Sequence, residues 1–203
     1  MPNRNDCLKD LDSMLQDLLI YPLPNSQKTF HEVDVTLIEE KADYALTIHH
    51  LAAGSSLIFK GDSFPVPKAI FKDNPPDIEY CCRPDYIIFT CDQKGKPYTI
   101  IIELAKSNRS KSKQHVIHQL KGGNSICAYL AAQLKNFKAT TLNSFLDRII
   151  YIQNINETRR QTTKPQPQKL ALVNETEFPF YKFYGKEISS KKIENELLQG
   201  TCL

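Results

Sequence analysis

Two carboxylates mark the chemistry this chain could do. Asp85 stands just before the apolar run Tyr86–Thr90, and Glu103 near the end of a second run, Thr99–Leu104. Both runs are rich in β-branched and aromatic residues, the composition of strands. Between them, Asp92-Gln93-Lys94-Gly95-Lys96-Pro97 is turn chemistry: Gly95 permits a positive φ and Pro97 fixes its own. The spacing predicts an antiparallel hairpin, in which the start of the first strand lies beside the end of the second. Asp85 and Glu103, distant in sequence, then become neighbours on a rigid sheet. Carboxylates held that way suit a divalent cation, Mg²⁺ or Mn²⁺, and the Leu104 carbonyl would complete an oxygen-only set. Such a cation polarises a phosphoryl oxygen and activates water, which is the chemistry of phosphodiester hydrolysis. A purely structural Glu103 is disfavoured, because an unpaired carboxylate in an otherwise apolar strand is costly to bury.

Basic residues follow the second acid. Ser107-Asn108-Arg109-Ser110-Lys111-Ser112-Lys113 reads as a hydroxyl-rich loop, with Asn108, Arg109, Lys111 and Lys113 as candidate phosphate contacts. A second polar loop, Asn154–Gln168, carries Arg159, Arg160 and Lys164. The formal net charge of +3 is small, so nucleic-acid binding requires these residues to cluster. His115 and His118 share a helical face, but no H-E-x-x-H, phosphate-binding P-loop, dinucleotide glycine motif or G-x-S-x-G occurs. The six cysteines include no C-x-x-C pair and read as free thiols of a reducing compartment. Cys81, Cys82 and Cys91 come nearest to a metal-ligand set.

The elements that must position these residues follow from periodicity. Asn5–Ile20 reads as an amphipathic helix ended by Pro22 and Pro24. Over Thr36–Ala53 the pattern is double: Val33, Val35 and Leu37 alternate, yet Leu37, Ala42, Leu46 and Leu51 fit one helical face, and a helix is preferred. Glu39 and Glu40 would lie near its first turn, where acids are favoured by the helix dipole. Ser55–Lys60 reads as a strand and the proline-containing Gly61–Pro76 as a loop. Gln114–Leu134 reads as a long helix whose Gly122-Gly123 pair costs about 1 kcal/mol per glycine, implying a kink or the close approach of a backbone or ligand. Phe145–Gln153 reads as a strand, Leu170–Val173 as a short buried one, Phe178–Tyr184 as an aromatic edge or hairpin segment, and Ile188–Leu198 as a helix. This order predicts an α/β or α+β architecture around one sheet.

At 203 residues, 41% hydrophobic and 24% charged, the chain fits one globular domain, with a core over about 36–175 and terminal helices as additions. No apolar run approaches the roughly 20 residues of a membrane span. The first residues lack the basic-then-apolar order of a signal peptide, so a cytoplasmic location is expected.

Pro84-Asp85, the hairpin, and Ile100-Ile101-Ile102-Glu103-Leu104 together resemble the PD-(D/E)XK nuclease superfamily, whose fold is restriction-endonuclease-like. The resemblance covers roughly 84–134 and includes Gln119 on the helix behind the hairpin. It implies a central mixed β-sheet flanked by helices and a Mg²⁺-dependent DNA endonuclease, possible as a homodimer on duplex DNA. It also implies that Asp85 and Glu103 hold the metal, with Glu40 (or Glu39) as an upstream acid. One position departs from the pattern: two residues after the acid, where the family has lysine, stands Ala105. Three explanations follow, in order of preference. The chain is an inactive Lys→Ala variant; or Lys106, Lys113 or Lys121 supplies the amine from a shifted position; or the site has decayed. The last leaves a non-catalytic nucleic-acid-binding or interaction module on the same fold.

Overall fold

The computed structural model describes residues 4–15, 32–39, 44–52, 55–65, 82–105, 112–138, 140–155, 170–173 and 178–195. In chain order the elements are α1 (Arg4–Met14), β1 (Glu32–Glu39), β2 (Tyr44–Ala52), β3 (Leu57–Lys60), β4 (Tyr86–Cys91), β5 (Pro97–Ala105), α2 (Lys113–Phe137), α3 (Asn143–Leu146), β6 (Ile149–Ile155), β7 (Ala171–Val173), β8 (Phe180–Tyr184), β9 (Glu187–Ser189) and α4 (Ser190–Ile193). The fold is mixed α+β. Its strands form two mixed sheets where the sequence predicts one: six strands in the order β3-β4-β5-β6-β8-β7, and three in the order β1-β2-β9.

The hairpin β4–β5 forms as expected, with Tyr86 opposite Ile102 and Cys91 opposite Pro97. Gly95 takes a φ of 70° in its turn. All of β5 is buried, because the large sheet is covered on both faces. Even-numbered residues of the hairpin (Tyr86, Ile88, Ile100, Ile102, Leu104) face the small sheet and join Leu37, Leu46 and Ile48 in one core. Odd-numbered ones (Ile87, Phe89, Ile101) face α1 and α2 and join Leu11, Val116 and Leu120 in another. Full burial of an isoleucine contributes about 1.5–3 kcal/mol, so the Ile100-Ile101-Ile102 run anchors β5 from both sides. Two tyrosines tie the sheets together. The Tyr86 hydroxyl donates to the Ile38 carbonyl at 2.7 Å and accepts the Ile38 N–H at 3.1 Å. The Tyr44 hydroxyl meets Asn154 Oδ1 and the Gly185 carbonyl, and burial pushes its pKa up to about 12.

The helix expected over Thr36–Ala53 is instead the hairpin β1–β2. Val35 and Leu37, then Tyr44, Leu46 and Ile48, are buried in strict alternation. The register shifts between Val33 and Val35, so two residues of β2 oppose one of β1, and His50 there has a φ of 63°. That bulge stretches the apolar gap from two residues to three, Ile48 to Leu51, and so imitates helical spacing.

Four other expectations change. Phe145 begins no strand: it lies in α3, its ring edge-on to Phe89 at 5.7 Å, and β6 starts only at Ile149. The segment 170–173 is buried only at Leu170, since β7 is the exposed outer strand. Of the two readings of the aromatic segment the hairpin holds and the edge does not: it is β8, antiparallel to β7 and inside the sheet, with aromatic side chains on both faces because both are covered. The C-terminal helix starts later than expected, as α4 at Ser190, because Glu187–Ser189 form β9 parallel to β2, and residues 196–198 of the expected span lie outside those described; Ile188 and Ile193 fill the core between the sheets. In α1, the residues after Leu15 lie outside those described.

Candidate active site

The β4–β5 register fixes the geometry of the two acids. One step beyond the Tyr86–Ile102 pair, Asp85 stands opposite Glu103. Opposed residues of an antiparallel pair project to the same face, with Cβ atoms about 4.5–5.5 Å apart. Both acids are odd-numbered and therefore lie on the face covered by α2. Asp85 is 8% exposed and Glu103 fully buried. Asp85 Oδ2 accepts the Leu104 N–H at 2.6 Å, a bond made where the β4 backbone ladder has ended. A strand residue directs its N–H and C=O to the same neighbour, so the Leu104 carbonyl also points to the Asp85 side. Asp85, Glu103 and the Leu104 carbonyl thus lie at the same strand end.

Close packing holds the first acid in place. The Asp85 carbonyl accepts the Gly61 N–H at 2.9 Å. A Cβ on Gly61 would lie 2.4 Å from the Pro84 carbonyl oxygen, and one on Gly122 only 1.8 Å from that of Cys82. The glycine pair of α2 therefore marks the close approach of a backbone. The chain leading into Asp85 is clamped between the β3 end and α2, which compensates for glycine's poor helix propensity.

The other expected site residues divide. Gln119 reaches the site: its Nε2 donates to the Arg83 carbonyl at 3.3 Å, and its buried Oε1 accepts no hydrogen bond. Ala105 is buried on the same face as Glu103, two residues on. Lys121 is exposed, with its Nζ 5.6 Å from the centre of the Phe178 ring, a cation–π contact. Lys113 opens α2 as an exposed residue behind the Ser112 cap, whose side chain accepts the His115 N–H at 3.1 Å. His118 is held to Gln114 at 2.8 Å. Glu39 closes β1 opposite Tyr44 and so occupies no helical turn. Glu40, Lys106, Asn108, Arg109, Lys111, Arg159, Arg160 and Lys164 lie outside the described residues, as does Cys81. Cys82 precedes β4 by four residues and Cys91 is its last residue. At about 3.3 Å per strand residue they are too far apart to share a metal.

The acids fit a hard cation. Among the described residues no group of three or more His, Cys, Asp or Glu is placed to hold a metal ion. Mg²⁺ does not need one, since it is commonly bound by one or two carboxylates and keeps several waters for substrate phosphates to replace.

One residue of this region escaped sequence reasoning. Glu103 pairs in parallel with Gln153 of β6, and Gln153 with Lys182 of β8. Lys182 is a lone cation in an aromatic strand, Phe180-Tyr181-Lys182-Phe183-Tyr184. That oddity was the available signal.

No family model matches the chain, and no curated protein or solved structure matches it. No helix among the described residues is long and apolar enough to cross a membrane.

Proposed function

We propose that this chain is a Mg²⁺-dependent DNA endonuclease of restriction-endonuclease-like architecture. The observation that carries the reading is the in-register pair Asp85 and Glu103, buried on one face at a strand end, with the Leu104 backbone bound to the first acid. The sheet supports it too: the hairpin β4–β5, the helices α2 and α3 and the strand β6 parallel to β5 contribute to a mixed sheet with helices against it, as the resemblance implies.

When bound, the cation would supply Lewis acidity at the phosphoryl oxygen and a more acidic water. Asp85 and Glu103 would hold it, with the Leu104 carbonyl as third protein oxygen. The Leu104 N–H fixes the Asp85 carboxylate, so the donor set needs no rearrangement on binding. Gln119, through its open amide oxygen, would orient a water or a donor group of the substrate. The water oxygen bonds to phosphorus and one P–O ester bond breaks. The departing alkoxide takes up a proton while the water loses one to solvent. Basic residues at 108–113 and 159–164 would contact DNA phosphates on a duplex, with a homodimer as the working form.

Ala105 favours a second reading, a nucleic-acid-binding module without catalysis. Cleavage of supercoiled plasmid by the full chain, with Mg²⁺ and with EDTA, tests the first. Metal-dependent nicking that disappears in Glu103→Gln supports the endonuclease. Salt-sensitive DNA binding with no cleavage, in this chain and in Ala105→Lys alike, supports the module.

A further inference from the structure

The large sheet carries a polar row, not merely a pair of acids. Across β5, β6 and β8 the register aligns Glu103, Gln153 and Lys182, and Asp85, one residue before β4, continues the row by extension of the Tyr86–Ile102 pairing. Residues paired across neighbouring strands project to the same face, and here that face is the one under α2. Packing agrees: Ile101, Tyr151 and Phe180, each two residues before a member of the row, all belong to the core beneath the helices. Glu103 and Gln153 are buried, whereas Lys182 is half-buried at the end of the row.

The next row outward is Ala105, Ile155 and Tyr184. It contains no amine. A lysine at 105 would share the face of Glu103, one row further along. Lys182 shares both the face and the row itself. Strands lie about 4.8 Å apart, so the Lys182 backbone is about 10 Å from that of Glu103. The four-carbon stem of lysine and the two-carbon stem of glutamate cross such a gap together, above Gln153.

We infer that Lys182 supplies the amine that position 105 lacks. The inference rests on the endonuclease reading and names its missing component. The Lys182 ammonium faces the acid pair from the β8 side. There it donates a hydrogen bond to the attacking water or a non-bridging phosphoryl oxygen, and its charge offsets the negative charge that gathers as the new P–O bond forms. Gln153 lies between acid and amine and spaces them. The same amine relocated to position 105 would do the same work from the adjacent row.

The test uses the full chain on supercoiled plasmid with Mg²⁺, alongside Mn²⁺ titration and thermal melting. Lys182→Ala is expected to lower the cleavage rate by at least about 100-fold, the scale for losing one donor at a developing charge, while Mn²⁺ binding persists. Adding Ala105→Lys to Lys182→Ala is expected to restore at least a tenth of the rate, which a merely structural Lys182 would not allow. If Lys182→Ala does not fold, Lys182→Met keeps the stem and carries the same expectation. Unchanged cleavage in these variants overturns the role of Lys182 and leaves the endonuclease standing. Cleavage only after Ala105→Lys, with none in the original chain, likewise overturns it, since the amine was then absent. No cleavage in either chain overturns the endonuclease reading and this one with it.

Discussion

The β4–β5 hairpin carries carboxylates at both ends, and the two ends use them differently. At the turn, Asp92 Oδ1 accepts the Lys94 and Lys96 N–H groups at 3.0 and 2.8 Å, while Oδ2 meets Arg148 at 3.0 Å. Glu194 accepts the Gln93 N–H at 3.2 Å nearby. These groups line a cavity of about 270 Å³, yet each carboxylate there is tied to a partner that shapes the turn. At the open end the acids come from two strands and are brought together by register. A local cluster stabilises a turn; the strand-end cluster depends instead on the register of the sheet, and Glu103 in it is fully buried. The difference separates a turn cluster, accounted for by its own hydrogen bonds, from the strand-end pair on which the proposed chemistry rests.

Removing a charge at each end is the sharpest way to break that contrast. Glu103→Gln keeps the volume and removes half of the acid pair. It is expected to lower Mg²⁺-dependent cleavage by more than about 100-fold, since losing even a supporting contact of a metal site costs about 10–100-fold. It should also abolish stabilisation by Mn²⁺, which for the original chain at 100 times its Kd amounts to about 2.7 kcal/mol. Asp92→Asn should leave both readouts unchanged. Equal losses from the two variants would mean that the ends do not differ in kind.

A smaller effect separates the scaffolds of the two ends. Gly122→Ala puts a methyl on the Cys82 carbonyl, and backbone must move to admit it. Overpacking of this kind costs about 1–3 kcal/mol, or about 2–4 °C of melting temperature per kcal/mol at this size. The shift falls on the segment leading into Asp85, so Mn²⁺ stabilisation should weaken too. Contributions from Asp92 and Arg148 should not. A melting temperature within 1 °C of the original, measured by calorimetry, would contradict the clamp (on the scale of about 2–4 °C per kcal/mol).

How much was legible in the sequence follows the same division between local and distant. The hairpin, its turn and the apposition of Asp85 and Glu103 were readable, because a turn of five residues, 92–96, fixes the register of the strands beside it. The β1–β2 hairpin was misread because the bulge at His50 disguised period two as a helical interval. Lys182 was passed over because its place depends on two parallel pairings, β5 with β6 and β6 with β8, whose register no turn sets. The strand β9 was unreadable for the same reason: its three residues find β2 only through the shared core.

The smallest expected effect concerns the turn end and pH. Burial works against the charge on Asp92, but the Lys96 N–H and the Arg148 guanidinium outweigh it and hold its carboxyl below the usual 3.8. Between the two values the unfolded chain binds more protons than the folded one, so stability rises with pH. This contribution is present in full above the ordinary value and is lost as pH falls through the folded one. Glu194 behaves oppositely: burial, with Asp92 close by, raises its carboxyl above the usual 4.5. The folded chain then binds the extra proton, and stability falls as pH rises through that range. Asp92→Asn should therefore melt below the original chain at pH 7 and converge with it on acidification. Glu194→Gln, which keeps an acceptor for Gln93, should melt slightly above it at pH 7 and converge below about pH 4. Both differences should be on the order of 1–2 °C, because the groups are partly solvated. Melting curves from pH 3 to 7 (a range spanning roughly both carboxyls) decide the matter. Gaps of the same sign for both variants would show that the turn-end acids are not opposed, and that the local cluster is less settled than its hydrogen bonds require.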